Sequence, residues 1–304
     1  MSDRTLRILE LFCGIGGVSM AARELSATVV AAVDINELAI ECLRTNVDHP
    51  TFVKEIDSLS DNWFKKWQAD LWWASPPCQP YTRRGNQLDA KDTRARPIQH
   101  LTERIGRLRP KMFAMENVPE FNNSAAADQL RATLDGAGYE WREVLLCPTE
   151  LGIPNRRKRY YLVASQSRLR PWRTPSQAGK QQTLATFVNS DELTEQGNSE
   201  LAVEDTVIQK YASAINLVDP ANDTAIANCF TSAYGRSHVR SGSLLKTDAG
   251  VRRFAPYEIL RLLSFPSDYK FVPSLPNLNR WRLVGNSLSV PAVRYILTAF
   301  AGLE

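Results

Sequence analysis

Hydrophobic residues in the first half of the chain fall into short β-branched or aromatic runs separated by amphipathic segments. Short apolar runs are typical of strands that are buried on both faces of a sheet. They predict strands at 7–12, 28–35, 70–75, 111–116 and 160–164, with helices near 17–26, 37–46, 98–108 and 124–137. Because strands and helices alternate with short connections, we predict an α/β fold of the Rossmann-like type, a parallel sheet with helices on both faces.

The pattern weakens after this region and returns near the C-terminus. Residues 165–183 are polar and rich in Pro, Gln and Ser, which indicates a linker or surface loop. Helical periodicity reappears at 256–265 and 289–300. We therefore predict a catalytic and cofactor-binding domain at 1–165, completed by 282–304, and a small target-recognition domain at 166–281.

Composition excludes several classes of protein. No apolar run is long enough to span a membrane, and the charged N-terminus does not resemble a signal peptide, so we expect a cytoplasmic protein. The five cysteines and three histidines are scattered without zinc-ligand spacing, so no metal is expected. The net charge of +4 is too small to indicate a polyanionic partner, but basic residues cluster at 83–96 and 156–159.

Glycines follow the first predicted strand, in the sequence Phe12-Cys13-Gly14-Ile15-Gly16-Gly17. Glycine lets the backbone turn tightly and lets a ligand approach the strand end. The second strand ends at Asp34, whose carboxylate is suited to accept hydrogen bonds from ribose hydroxyls. The loop is consistent with a nucleoside cofactor, although a nicotinamide site or a purely structural turn fits it equally well.

A cysteine with unusual flanks follows the third predicted strand, in the sequence Ser75-Pro76-Pro77-Cys78-Gln79-Pro80. Two prolines restrict the backbone ahead of the thiol, which suits a nucleophile but also a simple turn. The next strand ends at Glu116-Asn117, and another begins after 155–159, which contains four basic residues. A thiol, a carboxyl group and a guanidinium group at three strand ends can converge on one planar ligand.

The order of these motifs resembles the cytosine-5 methyltransferase family over essentially the whole chain. The motifs are FxGxGG, PPCQP, ENV, an Arg-x-Arg pair before a strand, and Gly285-Asn286-Ser287. The narrower resemblance is to the tRNA branch, on 76–85, 151–164 and the Cys229-Phe230-Thr231 tripeptide, with Tyr81 where the branch usually has Phe. A DNA cytosine-5 methyltransferase stays the alternative.

The resemblance implies a covalent mechanism and a cofactor. Cys78 would add to C6 of an extruded cytosine, Glu116 would donate a proton to N3, and Asn117 would position the loop. Arg157 and Arg159 would hold O2 of the base and the region of the thiolate. The methyl donor would be S-adenosylmethionine. Within the same family resemblance, the expected cofactor-binding residues are Phe12, Gly14, Ile15, Gly16, Gly17, Asp34, Ile35, Asp57, Ser58, Pro77, Asn286 and Ser287.

The implied partner is nucleic acid, with tRNA favoured over duplex DNA, and the protein is expected to be a monomer. The expected substrate-binding residues are Gln79, Thr82, Arg83, Arg84, Cys229, Phe230, Thr231 and Tyr234. Arg94 and Arg96 would add phosphate contacts. For Asp57 a helix N-cap is the competing interpretation. A nicotinamide oxidoreductase leaves the cysteine and ENV motifs unexplained, and an inactive binding module leaves the intact reactive residues unexplained.

Overall fold

A computed structural model describes residues 5–78, 96–172, 181–188 and 200–300. The chain forms two compact units. The large unit comprises Met1–Leu146, Lys158–Arg173 and Ala292–Glu304, and the small unit comprises Cys147–Arg157 and Thr174–Pro291. The domain boundaries predicted from the sequence stay a prediction, because a compact unit is not by itself an independent folding unit.

The strands and helices are numbered in chain order. The strands in the described ranges are β1 (Leu6–Leu11), β2 (Ala27–Asp34), β3 (Thr51–Val53), β4 (Leu71–Ala74), β5 (Met112–Asn117), β6 (Glu140–Leu146), β7 (Asn155–Arg156), β8 (Arg159–Ser165), β9 (Leu217–Val218), β10 (Ala227–Asn228), β11 (Leu244–Thr247) and β12 (Gly250–Arg253). The α-helices there are α1 (Gly17–Ala22), α2 (Glu37–Arg44), α3 (Asp61–Lys66), α4 (Arg96–Leu108), α5 (Ala125–Gly136), α6 (Asp205–Lys210), α7 (Pro256–Leu262), α8 (Asn277–Gly285) and α9 (Val290–Leu297).

The large unit is built on one seven-stranded sheet with the order β3-β2-β1-β4-β5-β8-β6. Strands β3, β2, β1, β4 and β5 run parallel, whereas β8 pairs antiparallel with both β5 and β6. The prediction of a wholly parallel sheet is therefore wrong at β8. Residues 147–158, which connect β6 to β8, contain no α-helix that could cross over the sheet, so the two strands pair antiparallel.

Both faces of this sheet are buried. On one face, Leu9, Val33 and Phe113 belong to a continuous apolar cluster that includes Leu101 of α4 and Leu130 of α5. Neighbouring strand residues that point to the opposite face are also inaccessible, namely Ile8, Ala32, Trp73, Ala114 and Val163. Successive strand residues alternate between faces, so burial of both sets explains why the strands read as continuous apolar runs.

Polar side chains fix where several helices begin. Asn36 accepts a hydrogen bond from the amide of Ala39 at the start of α2, and Ser124 accepts one from Ala127 at the start of α5. Ser60 accepts from the amide of Trp63 and so caps α3. Such caps satisfy amide groups that a helix leaves unpaired at its N-terminus.

The small unit contains a β12-β11-β9 sheet, a β7–β10 pair and the helices α6, α7 and α8. Its core is aromatic, with Phe230 packed against Tyr234 and Phe254 at centroid distances of 4.9 and 5.0 Å. A buried ion pair joins Arg252 to Glu258 through two hydrogen bonds of 2.8 and 2.7 Å. No helix in the described residues has the length and apolar character needed to cross a membrane.

Candidate functional site

The loop after β1 has a backbone that requires unusual dihedral angles. Phe12, Gly14 and Gly16 all have positive φ, at 55°, 51° and 85°. A Cβ atom on Gly16 would lie 2.3 Å from Cδ1 of the buried Leu43, so a larger residue would have to displace that methyl group as well as adopt the left-handed conformation. Phe12 adopts a left-handed conformation that is uncommon for a residue with a bulky side chain, and such outliers concentrate at functional sites.

Asp34, at the end of β2, is bonded to this loop. One carboxylate oxygen accepts a hydrogen bond of 2.8 Å from the amide of Gly14, and the other accepts one of 2.8 Å from Asn36. Burial raises the pKa of Asp34 above its ordinary value, and the hydrogen bonds from backbone amides oppose that rise. The carboxylate thus fixes the glycine loop and keeps lone pairs for a ligand.

A cavity of about 320 Å³ opens beside this loop in the large unit. Its lining residues are Phe12, Ile35, Lys54, Glu55, Ile56, Asp57, Pro77, Arg96 and Pro97. Ile35 is 63% exposed, which is unusual for an isoleucine at a strand end. A cavity of this size with apolar walls and a carboxylate is suited to a small organic ligand.

The structure brings four of the predicted cofactor residues to the cavity wall: Phe12, Ile35, Asp57 and Pro77. Of the other predicted cofactor residues in the large unit, Ile15 and Gly17 are buried within the loop region, and the Ser58 hydroxyl donates to the carbonyl of Glu55. The alternative interpretation of Asp57 as the cap of α3 is wrong, because Ser60 occupies that position.

Sequence reasoning missed the cavity residues on the β3–α3 connection and at the start of α4. These are Lys54, Glu55, Ile56 and Pro97, together with Arg96, which was predicted as a phosphate contact. No local motif marks them, since they reach the cavity only through the pairing of β3 with β2 and the packing of α4.

Several hydrogen bonds hold the cysteine segment after β4. The amide of Ser75 donates to the carbonyl of Leu11, and the indole of Trp73 donates to the Ser75 hydroxyl at 3.0 Å. The side-chain amide of Asn117 donates to the carbonyl of Pro76 at 3.4 Å. Cys78 is half-buried. The thiol segment is therefore tied to the strands on both sides of β4.

Part of the predicted substrate site lies outside the described residues. This applies to Gln79, Thr82, Arg83, Arg84 and Arg94, as well as to Tyr81. Their predicted contacts with nucleic acid stay predictions.

Glu116 lies at the carboxyl end of β5 and is 8% exposed. The guanidinium of Arg159 lies 3.1 Å from its carboxylate. The antiparallel register places Glu116 opposite Tyr161 and Asn117 opposite Tyr160, so the start of β8 lies at the edge where β5 ends. The reversed direction of β8 is thus what brings an arginine to the acid.

Arg157, two residues earlier, has a different environment. Its guanidinium is buried in the small unit and donates to the carbonyls of Phe230 at 3.0 Å and Gly285 at 3.2 Å, and also to that of Ser287. It also contacts the sulfur of Cys229 at 3.4 Å. Arg157 therefore joins the Cys-Phe-Thr segment to the Gly-Asn-Ser segment through main-chain carbonyls, in addition to any role at the substrate.

The Cys-Phe-Thr segment and the nearby Tyr234 pack against and bond to other residues of the small unit. Phe230 and Tyr234 are each 2% exposed, and the Tyr234 hydroxyl donates to the carbonyl of Ser243. Thr231 is half-buried, and its amide donates to the carbonyl of Ser241. Burial assigns Phe230 and Tyr234 to the core of the small unit, and their predicted contact with substrate stays a prediction.

The Gly-Asn-Ser segment begins at the last residue of α8 in the small unit. A Cβ atom on Gly285 would lie 2.3 Å from the carbonyl carbon of Thr231, so only glycine allows this approach. Asn286 is exposed, whereas Ser287 is 4% exposed. The Ser287 hydroxyl has no hydrogen-bond partner among the described residues. A buried hydroxyl of this kind is a candidate contact for a ligand.

Glu10 lies directly behind the glycine loop and supports it. It is 1% exposed, and its carboxylate accepts hydrogen bonds from the amides of Val18 at 3.0 Å and Ser19 at 3.1 Å. Burial raises the pKa of Glu10 from 4.5 to about 7. Between these values the folded state binds a proton that the unfolded state has released, so the contribution of Glu10 to stability is lost as the pH rises through about 7.

We therefore expect a pH-dependent difference between the wild type and Glu10→Gln. From about pH 5 to about pH 8, the free energy of unfolding of the wild type should fall by roughly 3 kcal/mol relative to this variant. Denaturant unfolding at several pH values measures this, with Glu41→Gln on the exposed side of α2 as the control. Parallel pH profiles for the wild type and Glu10→Gln would show that Glu10 does not titrate in this range.

Comparison with known proteins agrees with this arrangement. The family model described as C-5 cytosine-specific DNA methylase matches residues 6–301. The chain is 30% identical to the human tRNA (cytosine(38)-C(5))-methyltransferase, with 96% of this chain and 98% of the relative covered. It is 27% identical to the Dictyostelium discoideum DNA (cytosine-5)-methyltransferase, over 96% of this chain and 93% of that protein.

The fold agrees as well. The crystal structure of the Schizosaccharomyces pombe Dnmt2 methyltransferase superimposes with a TM-score of 0.84 at 27% identity, covering 96% of this chain and 97% of that one. The α/β fold class and the family resemblance predicted from the sequence are thereby confirmed. The chain belongs to the C-5 cytosine-specific DNA methylase family and is a cytosine-5 methyltransferase.

Proposed function

We propose that this protein transfers a methyl group from S-adenosylmethionine to carbon 5 of a cytosine in tRNA, through a covalent adduct with Cys78. One observation carries the proposal. Pro77 lines the cavity and is followed directly by Cys78, while Asn117, which follows Glu116, bonds the carbonyl of Pro76. The segment 76–78 thus connects the proposed cofactor cavity to the thiol, and the bond from Asn117 to Pro76 connects the same segment to the acid.

The cavity fits the cofactor. Its volume of about 320 Å³ and its apolar walls suit an adenosyl group, and the carboxylate of Asp57 in its wall can accept hydrogen bonds from a ribose or an adenine amine. A ligand there would also cover Ile35. When bound, S-adenosylmethionine supplies an electrophilic methyl group.

The residues of the chain account for the activation of the base. The Cys78 thiolate forms a bond to C6 of cytosine, which moves electron density onto C5 and makes it nucleophilic. Glu116 donates a proton to N3, which balances this addition. Arg159 keeps the carboxyl group in place and can donate to O2 of the base. Once C5 carries the methyl group, it loses its proton to solvent and N3 returns its proton to Glu116, which expels the thiolate and restores the aromatic ring.

Nucleic acid must present the cytosine outside a base stack, because C6 cannot be reached by a thiol within one. A tRNA loop meets this need at low cost, since its bases are already partly unstacked. The human relative is named for cytosine 38 of tRNA, which supports tRNA as the substrate and that position as the target. Duplex DNA is the second candidate, because the Dictyostelium relative is named as a DNA methyltransferase.

A methyl-transfer assay tests the proposal. The full chain is incubated with methyl-labelled S-adenosylmethionine and either tRNA transcripts or duplex DNA of similar length. We expect label in tRNA that has cytosine at position 38, and none in transcripts that differ only by uracil there. Label in DNA with none in tRNA would favour the second candidate, and no label in either would refute the proposed activity.

A further inference from the structure

A buried arginine on α4 has no part in the chemistry described so far. Arg104 is 8% exposed, and its guanidinium donates to the carbonyl of Ile56 at 3.1 Å and to that of Leu59 at 2.7 Å. A third, longer contact of 3.4 Å reaches the carboxylate of Asp61. The guanidinium therefore bonds the main chain on both sides of Asp57.

The position of this guanidinium is fixed by packing. Its central carbon lies 4.7 Å from the ring centroid of Phe64, a side chain that is 1% exposed. Arg107, one turn further along α4, also bonds Asp61, at 2.8 and 2.7 Å, but it contacts neither carbonyl. Its hydrogen bonds lower the pKa of Asp61 to about 2, which keeps that carboxylate charged.

The bonded turn and the helix both belong to the cavity. Ile56 and Asp57 line it from the short turn Ile56–Ser58, and Arg96 and Pro97 line it from the first turn of α4. Arg104 connects these two walls from behind. An arginine can bond two carbonyls at once because its donors form a rigid planar fork, which a lysine lacks.

We propose that Arg104 is a positioning residue for the cofactor: by fixing the turn Ile56–Ser58 against α4, it sets the affinity for S-adenosylmethionine. The inference rests on the proposed function, since it takes the cavity to be the cofactor site. Without Arg104 the carbonyls of Ile56 and Leu59 lose a charged donor, and the Asp57 turn loses its link to the opposite wall.

The variants Arg104→Met and Arg104→Lys test this, with Arg107→Met as the matched control because it removes only the bonds to Asp61. Calorimetric titration with S-adenosylhomocysteine gives the Kd, and methyl transfer to tRNA gives KM for the cofactor and kcat. We expect Arg104→Met to raise Kd and KM at least about tenfold, with kcat at saturating cofactor within about twofold of the wild type. The Kd of Arg104→Lys should lie between the values for the wild type and Arg104→Met. The Kd of Arg107→Met should equal that of the wild type.

A purely structural role predicts a different result, namely a smaller active fraction and a lower kcat with unchanged Kd. That result, or wild-type Kd in a folded Arg104→Lys variant, would overturn the inference. The lysine variant keeps the test valid where the methionine variant does not fold. A wild type that binds no S-adenosylhomocysteine would instead refute the proposed function, and the inference with it.

Discussion

Replacing Cys78 with alanine is expected to lower the rate of methyl transfer by at least about 10³-fold, with cofactor affinity nearly unchanged. The reason is that C5 of cytosine is a poor nucleophile until a thiolate adds at C6, and alanine has no group that can make that bond. Among the described residues, Pro77 lines the cavity and Cys78 does not. Binding of S-adenosylhomocysteine should therefore survive the substitution.

Two measurements separate this expectation from a general loss of structure. Cys147→Ala is the control, because Cys147 is also a half-buried cysteine and lies outside the proposed site. In addition, tRNA that contains 5-fluorocytosine should form a stable adduct with the wild type and none with Cys78→Ala, since fluorine does not leave as a proton does. Turnover by Cys78→Ala close to the wild-type rate would exclude Cys78 as the nucleophile.

Much of the large unit could be predicted because its strands carry a strong signal. β1, β2, β4, β5 and β8 all have buried residues on both faces, and each lies within one residue of its predicted start. β3 has three residues and β6 is partly exposed along most of its length, so neither produces a continuous apolar run. The sequence therefore shows the centre of the sheet but not its edges.

Strand direction could not be read from the same pattern. A strand buried on both faces looks alike whether its neighbours run parallel or antiparallel, and only the connection decides. At β8 this matters for the chemistry, because the antiparallel direction places Arg159 beside Glu116. The convergence of acid and guanidinium was predicted, but on the assumption of a parallel strand.

The small unit was largely unpredictable for another reason. Its strands have two to four residues, too few for a period of two to be seen, and its core depends on contacts between distant segments. The sequence also does not show which arginines are buried. In the sequence, Arg104 looks like any charged residue of an amphipathic helix, and Arg157 looks like one member of a basic cluster.

The two arginines of the Arg-x-Arg motif are expected to differ when each is replaced by alanine. Arg157→Ala should lower the free energy of unfolding by about 3–5 kcal/mol, because it leaves the carbonyls of Phe230, Gly285 and Ser287 without their charged donor inside the small unit. Arg159→Ala should cost less, roughly 1.5–3 kcal/mol, because it removes the charge-assisted contact with Glu116 and leaves the carbonyls of the small unit bonded to Arg157.

Activity should show the opposite order once stability is taken into account. At a temperature where both variants are folded, Arg159→Ala should lower kcat by about 10²-fold, since Glu116 and the base lose the guanidinium at the reacting edge. Folded Arg157→Ala should lose less, because the carbonyls it bonds belong to the main chain and not to the reacting groups. Denaturant unfolding together with single-turnover methyl transfer measures both effects. Equal losses of stability and of kcat in the two variants would mean that the pair acts as one unit, as the sequence alone suggests.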